Sequence, residues 1–259
     1  MYQDFVDELL GRGRYYFTFE EISSRVTVAP ESVRMALWRL IKKGVLALPY
    51  RQFYLIIPPE HRLRGCLPPQ QFIPDLMKYL NEDYYVGLLS AAEFHGAAHH
   101  RPQVFQVVVR KPRRPLLCGK VKVQFITKTT VSDSATETRN TATGVVKISS
   151  PEVTAFDMVC HIRHCAGLDN VATVLSELVE KIDVNRLLQA AKCSPISSIQ
   201  RLGYLLDLIG ASEKSDVLTQ CLIGRGPTPI ALLPGGDIND APKDNRWLVL
   251  VNAEVEADV

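Results

Sequence analysis

EEISSRVTVAPESVRMALWRLIKKGVLALPYRQFY, residues 20–54, decides the reading of the N-terminal part of the chain. Val33, Ala36, Leu37, Leu40 and Ile41 recur at i, i+3, i+4, i+7 and i+8, which predicts one apolar helix face. Arg34, Trp38, Arg39, Lys42 and Lys43 fall on the opposite face. Pro30 opens this helix, Glu31 places an acid where the helix dipole favours one, and Gly44 stands where the chain must leave. Residues 45–57 then read as two short strands around a turn at Pro49-Tyr50-Arg51-Gln52. Upstream, Phe5, Val6, Leu9 and Leu10 are helically spaced ahead of Gly11-Arg12-Gly13. Thr18 with Glu21 has the spacing of a capping box, which opens a second short helix. Three helices and a small hairpin describe a winged helix-turn-helix, with the turn as its wing.

The 259 residues exceed the usual size of one domain, and 46% hydrophobic with 22% charged residues is the composition of a globular protein with an ample core. The net charge of +2 conceals segregation. Ten basic residues face seven acidic ones over residues 1–65, one faces four over 66–100, ten face two over 101–150, and nine face fifteen over 151–259. One basic surface for a polyanion and an acidic C-terminal part follow from this. No run of 18 apolar residues exists, and MYQDFVDELLGRGRYY has acids where a secretory leader would be basic and then apolar. A cytoplasmic protein without membrane contact is expected, and its six cysteines are expected as free thiols.

Pro58-Pro59-Glu60 followed by His61–Gly65 reads as a basic linker, which sets domains of 1–62 and 63–259. Beyond it, residues 69–80 predict a helix with Phe72, Leu76 and Leu80 on one face, and 84–96 a buried helix. The period then changes: 104–109, 121–126 and 144–148 are β-branched runs that predict strands. Ser150 and Pro151 have N-cap and N1 character ahead of a helix. Further helices are expected over 171–182, 183–191 and 199–209, and a last strand over 247–251. The fold class is therefore α+β: an N-terminal winged helix-turn-helix plus a larger C-terminal mixed sheet flanked by helices.

Candidate DNA-binding residues are Ser32, Arg34, Trp38, Arg39, Lys42 and Lys43 on the second helix and Arg51 in the wing. Trp38 serves equally as a cover for the edge of the domain. A second basic surface could form from Arg101, Arg110, Lys111, Arg113, Arg114, Lys120 and Lys122, for nucleic acid or an acidic partner; a solvated loop is the alternative. Cys160-His161-Ile162-Arg163-His164-Cys165 invites a zinc reading. On one continuous helix neighbouring side chains diverge by about 100°, so at most His161 and Cys165 could share an ion, and no metal or other cofactor is expected. Ser90, Glu93, His95, His99 and His100 carry catalytic residue types without a catalytic fingerprint around them, so no enzyme is expected and they are given no role.

The chain resembles the AbiEi family of bacterial antitoxins from abortive-infection, type IV toxin–antitoxin systems. The resemblance is carried by FTFEEI, SVRMALWRLIKKGVL, RQFYLIIP, YYVGLLSAAEFHGAAHHRPQVFQVVV, VKISSPEVTAFDMV, IQRLGYLLDLIG and RWLVLVN, in that order through nearly the whole chain. It implies repression of the protein's own operon through promoter binding by the winged helix. It also implies neutralisation, without a stable complex, of a nucleotidyltransferase-like toxin encoded alongside. Arg34, Arg39, Lys42 and Lys43 match the basic recognition-helix face and Arg51 the wing, while the YYVGLLSAAEFHG block looks like structural core. A dimer on paired half-sites and two monomers on neighbouring repeats both remain open. The runner-up function is a winged-helix transcription regulator responsive to a ligand or partner.

Overall fold

The structure is a computed structural model that describes residues 2–97, 102–132 and 134–257. It begins with α1 (Tyr2–Gly11), β1 (Tyr16–Thr18), α2 (Phe19–Ser23), α3 (Pro30–Lys42), β2 (Leu46–Tyr50) and β3 (Phe53–Ile56). The local signals act where the residues place them. Thr18 Oγ1 accepts from the Glu21 amide at 3.2 Å and caps α2. Pro30 starts α3, whose missing donor costs nothing in the first turn, and Gly44 leaves the helix at φ 69°. β1, β3 and β2 form an antiparallel sheet in that order. Tyr50 pairs with Phe53, so the turn narrows from the expected four residues to Arg51 and Gln52, the latter at φ 62°. Pro49 lies within β2, at a register shift that tolerates its missing amide hydrogen.

β3 explains why the segment after it is not a loose linker. All four of its residues are buried, and they alternate between two cores. Tyr54 and Ile56 join Phe5, Val6, Leu9, Phe17, Ile22, Val33, Leu37 and Leu46 beneath the helices. Phe53 and Leu55 turn to the other side and meet Cys66, Leu67 and the apolar face of α4 (Pro69–Tyr79). At about 25 cal/mol per Å2 of apolar surface, a strand buried on both faces holds its two neighbours together. Residues 61–65, expected as a linker, are accordingly pinned, and the Arg64 carbonyl accepts from the Lys120 amide at 2.8 Å.

The chain continues through β4 (Tyr84–Val86), α5 (Leu88–Phe94), β5 (Phe105–Val109), β6 (Leu116–Cys118), β7 (Val121–Thr127), β8 (Thr136–Thr141) and β9 (Gly144–Ser149). These strands make a mixed sheet in the order β6-β7-β5-β4-β9-β8, parallel at β5/β7 and β4/β9 and antiparallel at β6/β7. Residues 84–96 are therefore not one helix. Tyr84-Tyr85-Val86 has the aromatic and β-branched character of a strand, and Gly87 in extended conformation separates it from α5. β6 and β8 were not expected at all; β8, Thr-Glu-Thr-Arg-Asn-Thr, has no apolar residue to announce it.

The remaining helices are α6 (Pro151–Cys160), α7 (Leu168–Leu178), α8 (Val184–Lys192), α9 (Ile196–Leu208) and α10 (Ser212–Gln220), the last also unanticipated. A small sheet of β10 (Ile230–Ala231), β11 (Lys243–Asp244) and β12 (Val249–Leu250) closes the described chain. Gly203 on α9 leaves room for the Trp247 ring, since a Cβ there would lie 2.3 Å from Cζ3. Trp247 is fully buried, and its Nε1 donates to Asp207 Oδ2 at 2.6 Å.

Two compact units result, one of Met1–Tyr84, Gln103–Thr129 and Thr138–Lys147, the other of Tyr85–Pro102, Thr130–Glu137 and Ile148–Val259. The expected cut after residue 62 falls inside the first. Among the described residues the protein is α+β, with ten α-helices and three sheets, and no helix is long and apolar enough to cross a membrane.

Candidate nucleic-acid interface

α3 holds its two faces apart as its periodicity requires. Val33 and Leu37 are buried, with Leu40 and Ile41 packed against the same core. Ser32, Arg34, Met35, Trp38, Arg39, Lys42 and Lys43 are exposed. The one carboxylate on the helix, Glu31, sits at its N-terminal end, 3.4 Å from an Arg34 guanidinium nitrogen. Arg34 also lies over the Phe19 ring, 5.0 Å from its centre, and beside Tyr54, whose phenol burial pushes up while the guanidinium partly opposes that rise. Trp38 is 51% exposed and Lys42 Nζ stands 5.3 Å from its ring centre. An exposed indole with a cation over it is a poor cover for a core and a good stacking and phosphate-contacting pair.

Arg51 sits at the tip of the β2–β3 turn, exposed. Its carbonyl accepts from the Tyr79 hydroxyl at 3.5 Å and that of Gln52 from the Phe19 amide at 2.9 Å. The turn is thus braced from both sides rather than waving in solvent.

The second basic group is only partly as expected. Arg110, Lys111, Arg114, Lys120 and Lys122 are exposed, the first three in the segment before β6 and the lysines on the β6–β7 hairpin, where Lys122 pairs across from Leu117. Arg113 differs. Its guanidinium is paired with the Glu82 carboxylate, which also accepts from the Lys111 amide at 2.9 Å, and the arginine side chain is only 19% exposed. It braces the segment instead of offering charge, and a partner 31 positions away leaves no local trace in sequence. Arg101, like His99 and His100, lies outside the described residues. β6 rests against β2, so the hairpin lysines and the β2–β3 hairpin belong to one packed unit.

The Cys160–Cys165 cluster is not one helix. α6 ends at Cys160, His161 departs from helical geometry, and a 3-10 turn over Ile162–Cys165 follows. Cys160 is exposed and Cys165 buried, with its thiol pushed up by that burial. The His161 and His164 rings are 6.1 Å apart. Among the described residues no group of three or more His, Cys, Asp and Glu could hold a metal ion.

Sequence reasoning missed a buried polar cluster in the second unit. The Tyr85 hydroxyl donates to Asp157 Oδ2 at 2.7 Å, and burial followed by the Asp157 charge pushes the phenol well above its ordinary range. His95 Nε2 lies 2.8 Å from the Ser149 carbonyl, and the Ser149 and Thr154 hydroxyls are 2.7 Å apart. Ser150 Oγ caps α6 by accepting from the Val153 amide at 3.4 Å, and Glu152 Oε1 accepts from the Asp183 amide at 2.9 Å. Each member except Asp183 is buried. Apart from Glu152 Oε2, which is buried without a partner among the described residues, these hydrogen bonds favour one packing arrangement, and they join β4, α5, β9 and α6. The only sequence signal was the capping pair at Ser150.

Residues 85–208, the stretch that holds this cluster, match the family model of the AbiEi antitoxin C-terminal domain. No curated protein matches the chain. Among solved structures, the crystal structure of the RV2827C protein from Mycobacterium tuberculosis is similar over 94% of this chain and 88% of that one, with a TM-score of 0.69 at 19% identity. At that identity the likeness is one of fold.

Proposed function

Carrying the AbiEi antitoxin C-terminal domain, this chain belongs with the AbiEi-family antitoxins, and from that premise we propose an antitoxin that also represses its own operon. The helices and sheet of residues 1–62 act as a winged helix, with α3 in the major groove. Ser32, Arg34, Trp38, Arg39, Lys42 and Lys43 contact phosphates or base edges there, and Arg51 touches the adjacent backbone or minor groove. The observation that carries this reading is the exposed side of α3, where three of four cations stand clear of any acid on the helix. Arg110, Lys111, Arg114, Lys120 and Lys122 extend the footprint along the duplex. The C-terminal domain neutralises a nucleotidyltransferase-like toxin in a non-catalytic role, in the cytoplasm and without a stable complex.

The test is a promoter-binding titration across salt concentrations with the full chain. Arg39→Ala with Lys42→Ala should lower affinity about tenfold and flatten the log–log salt slope by about 2, because each lost phosphate contact returns its released counterion. Toxin neutralisation on co-expression with the adjacent gene should survive. Unchanged affinity sinks the assignment of α3. The extended footprint is tested with Lys120→Ala plus Lys122→Ala in the full chain, since truncation at residue 62 would lay bare Phe53 and Leu55.

A further inference from the structure

Two of the six cysteines meet inside the first unit. Cys66 follows the pinned segment after β3, and Cys118 ends β6; both are buried in the same apolar core. Their backbones are already in contact. The Arg64 carbonyl accepts from the Lys120 amide at 2.8 Å, and a Cβ on Gly119 would fall 2.3 Å from the Arg64 oxygen and 2.7 Å from the Gly65 carbon. A Cβ on Gly65 would lie 3.3 Å from the Gly119 Cα. Only glycines permit two segments to approach so closely, and each glycine immediately flanks one of the cysteines.

We propose that Cys66 and Cys118 form a peroxide-sensitive dithiol that closes to a disulfide, fastening the segment after β3 to the β6–β7 hairpin. The Cys66 thiol donates to the Cys118 sulfur, an interaction that raises the former's pKa and lowers the latter's. Cys118, 6% exposed where Cys66 is 0%, is the sulfur that peroxide reaches first, and it attacks as the thiolate. It displaces hydroxide from a hydroperoxide as the O–O bond breaks, which leaves a sulfenic acid on Cys118. Cys66 gives up its proton and attacks that sulfur, the S–O bond breaks, and a second hydroxide leaves as water. Two thiols and one hydrogen peroxide become one disulfide and two waters, and both electrons come from sulfur. The neighbours need not move far, and the bond closes a loop of about fifty residues, so oxidation should tighten this unit rather than disrupt it.

The test uses the full chain with Cys160, Cys193 and Cys221 replaced by Ser, treated with hydrogen peroxide, alkylated and digested without reduction. A cross-linked peptide pair containing Cys66 and Cys118, reversed by dithiothreitol, is the expected product. With it should come a rise in Tm of about 5 °C or more. The same chain with Cys118→Ser should show neither. Recovery of both thiols unoxidised, of sulfinic acid at Cys118, or of cross-links from either cysteine to Cys165 would overturn the proposal. The outcome is independent of DNA binding and of toxin neutralisation.

Discussion

α3 and α6 both open with a proline in the first turn and both carry charged residues, yet they put them to opposite uses. On α3 the charges lie on one side and stay in water. On α6 the first nine residues are all buried, Glu152, Thr154 and Asp157 among them; Thr154, Asp157 and one oxygen of Glu152 are hydrogen-bonded, while Glu152 Oε2 has no partner among the described residues. The difference teaches that a charged helical residue becomes a surface for a ligand or a fixture of the core according to what the rest of the chain brings to it. α3 receives apolar neighbours on one side only. α6 is met by α5, α7, α8 and α9.

The contrast is open to attack in order of expected effect. Asp157→Ala should destabilise by about 3 kcal/mol, lowering Tm by about 8 °C, because it removes the carboxylate that accepts from the buried Tyr85 hydroxyl. A Tm within a degree of the parent would place the polar residues of α6 in the same class as those of α3. On α9, which packs on α6, Gly203→Ala should cost about 2 kcal/mol in a urea titration, since its methyl group would enter the Trp247 ring. A neutral outcome would mean that this part of the core is loose.

At α4 the contrast narrows to a half-buried carboxylate. Burial pushes the Asp75 carboxyl up, against the Tyr16 hydroxyl bond and the charges of Lys78 and Arg14. A raised folded-state pKa means the folded chain binds the proton more tightly than the unfolded one. The resulting stability is present at low pH and is lost as pH rises through the folded value. Asp75→Asn should therefore gain stability over the parent as pH increases from about 3 to 7, and a constant Tm difference would contradict this sign. Smallest of all should be the effect on folding of Arg39→Ala with Lys42→Ala, under about 0.5 kcal/mol, because both side chains are exposed. A large drop in Tm would make that face structural and remove its claim to DNA.

The parts of the fold legible in sequence share one property, that their determinants lie within a turn or two of each other. The α3 stripe, the Thr18 and Ser150 caps and the glycine stop at Gly44 are of this kind. The five-residue run of β5 and the alternation of β7 likewise announced themselves. β8 did not, because a polar edge strand has neither an apolar stripe nor an alternation to display. The run from Tyr84 to Phe94 misled, because a buried strand and a buried helix look alike when both are apolar. Of the candidate interface, the exposure of the α3 residues and Arg51 was readable, while the capture of Arg113 by Glu82 was not.

By itself the sequence determined where α2, α3 and α6 start and where α3 stops, which face of α3 would be wet, and that positive charge would collect before residue 150. Those follow from backbone geometry and local hydrogen bonding, which act over a few residues. Tertiary structure alone decided that β3 would be buried on both sides, that Tyr85 would find Asp157 across 72 positions, and that Cys66 would meet Cys118. Each of these needs two distant segments brought together, and the free energy that selects the pairing comes from burying surfaces that neither segment can bury alone.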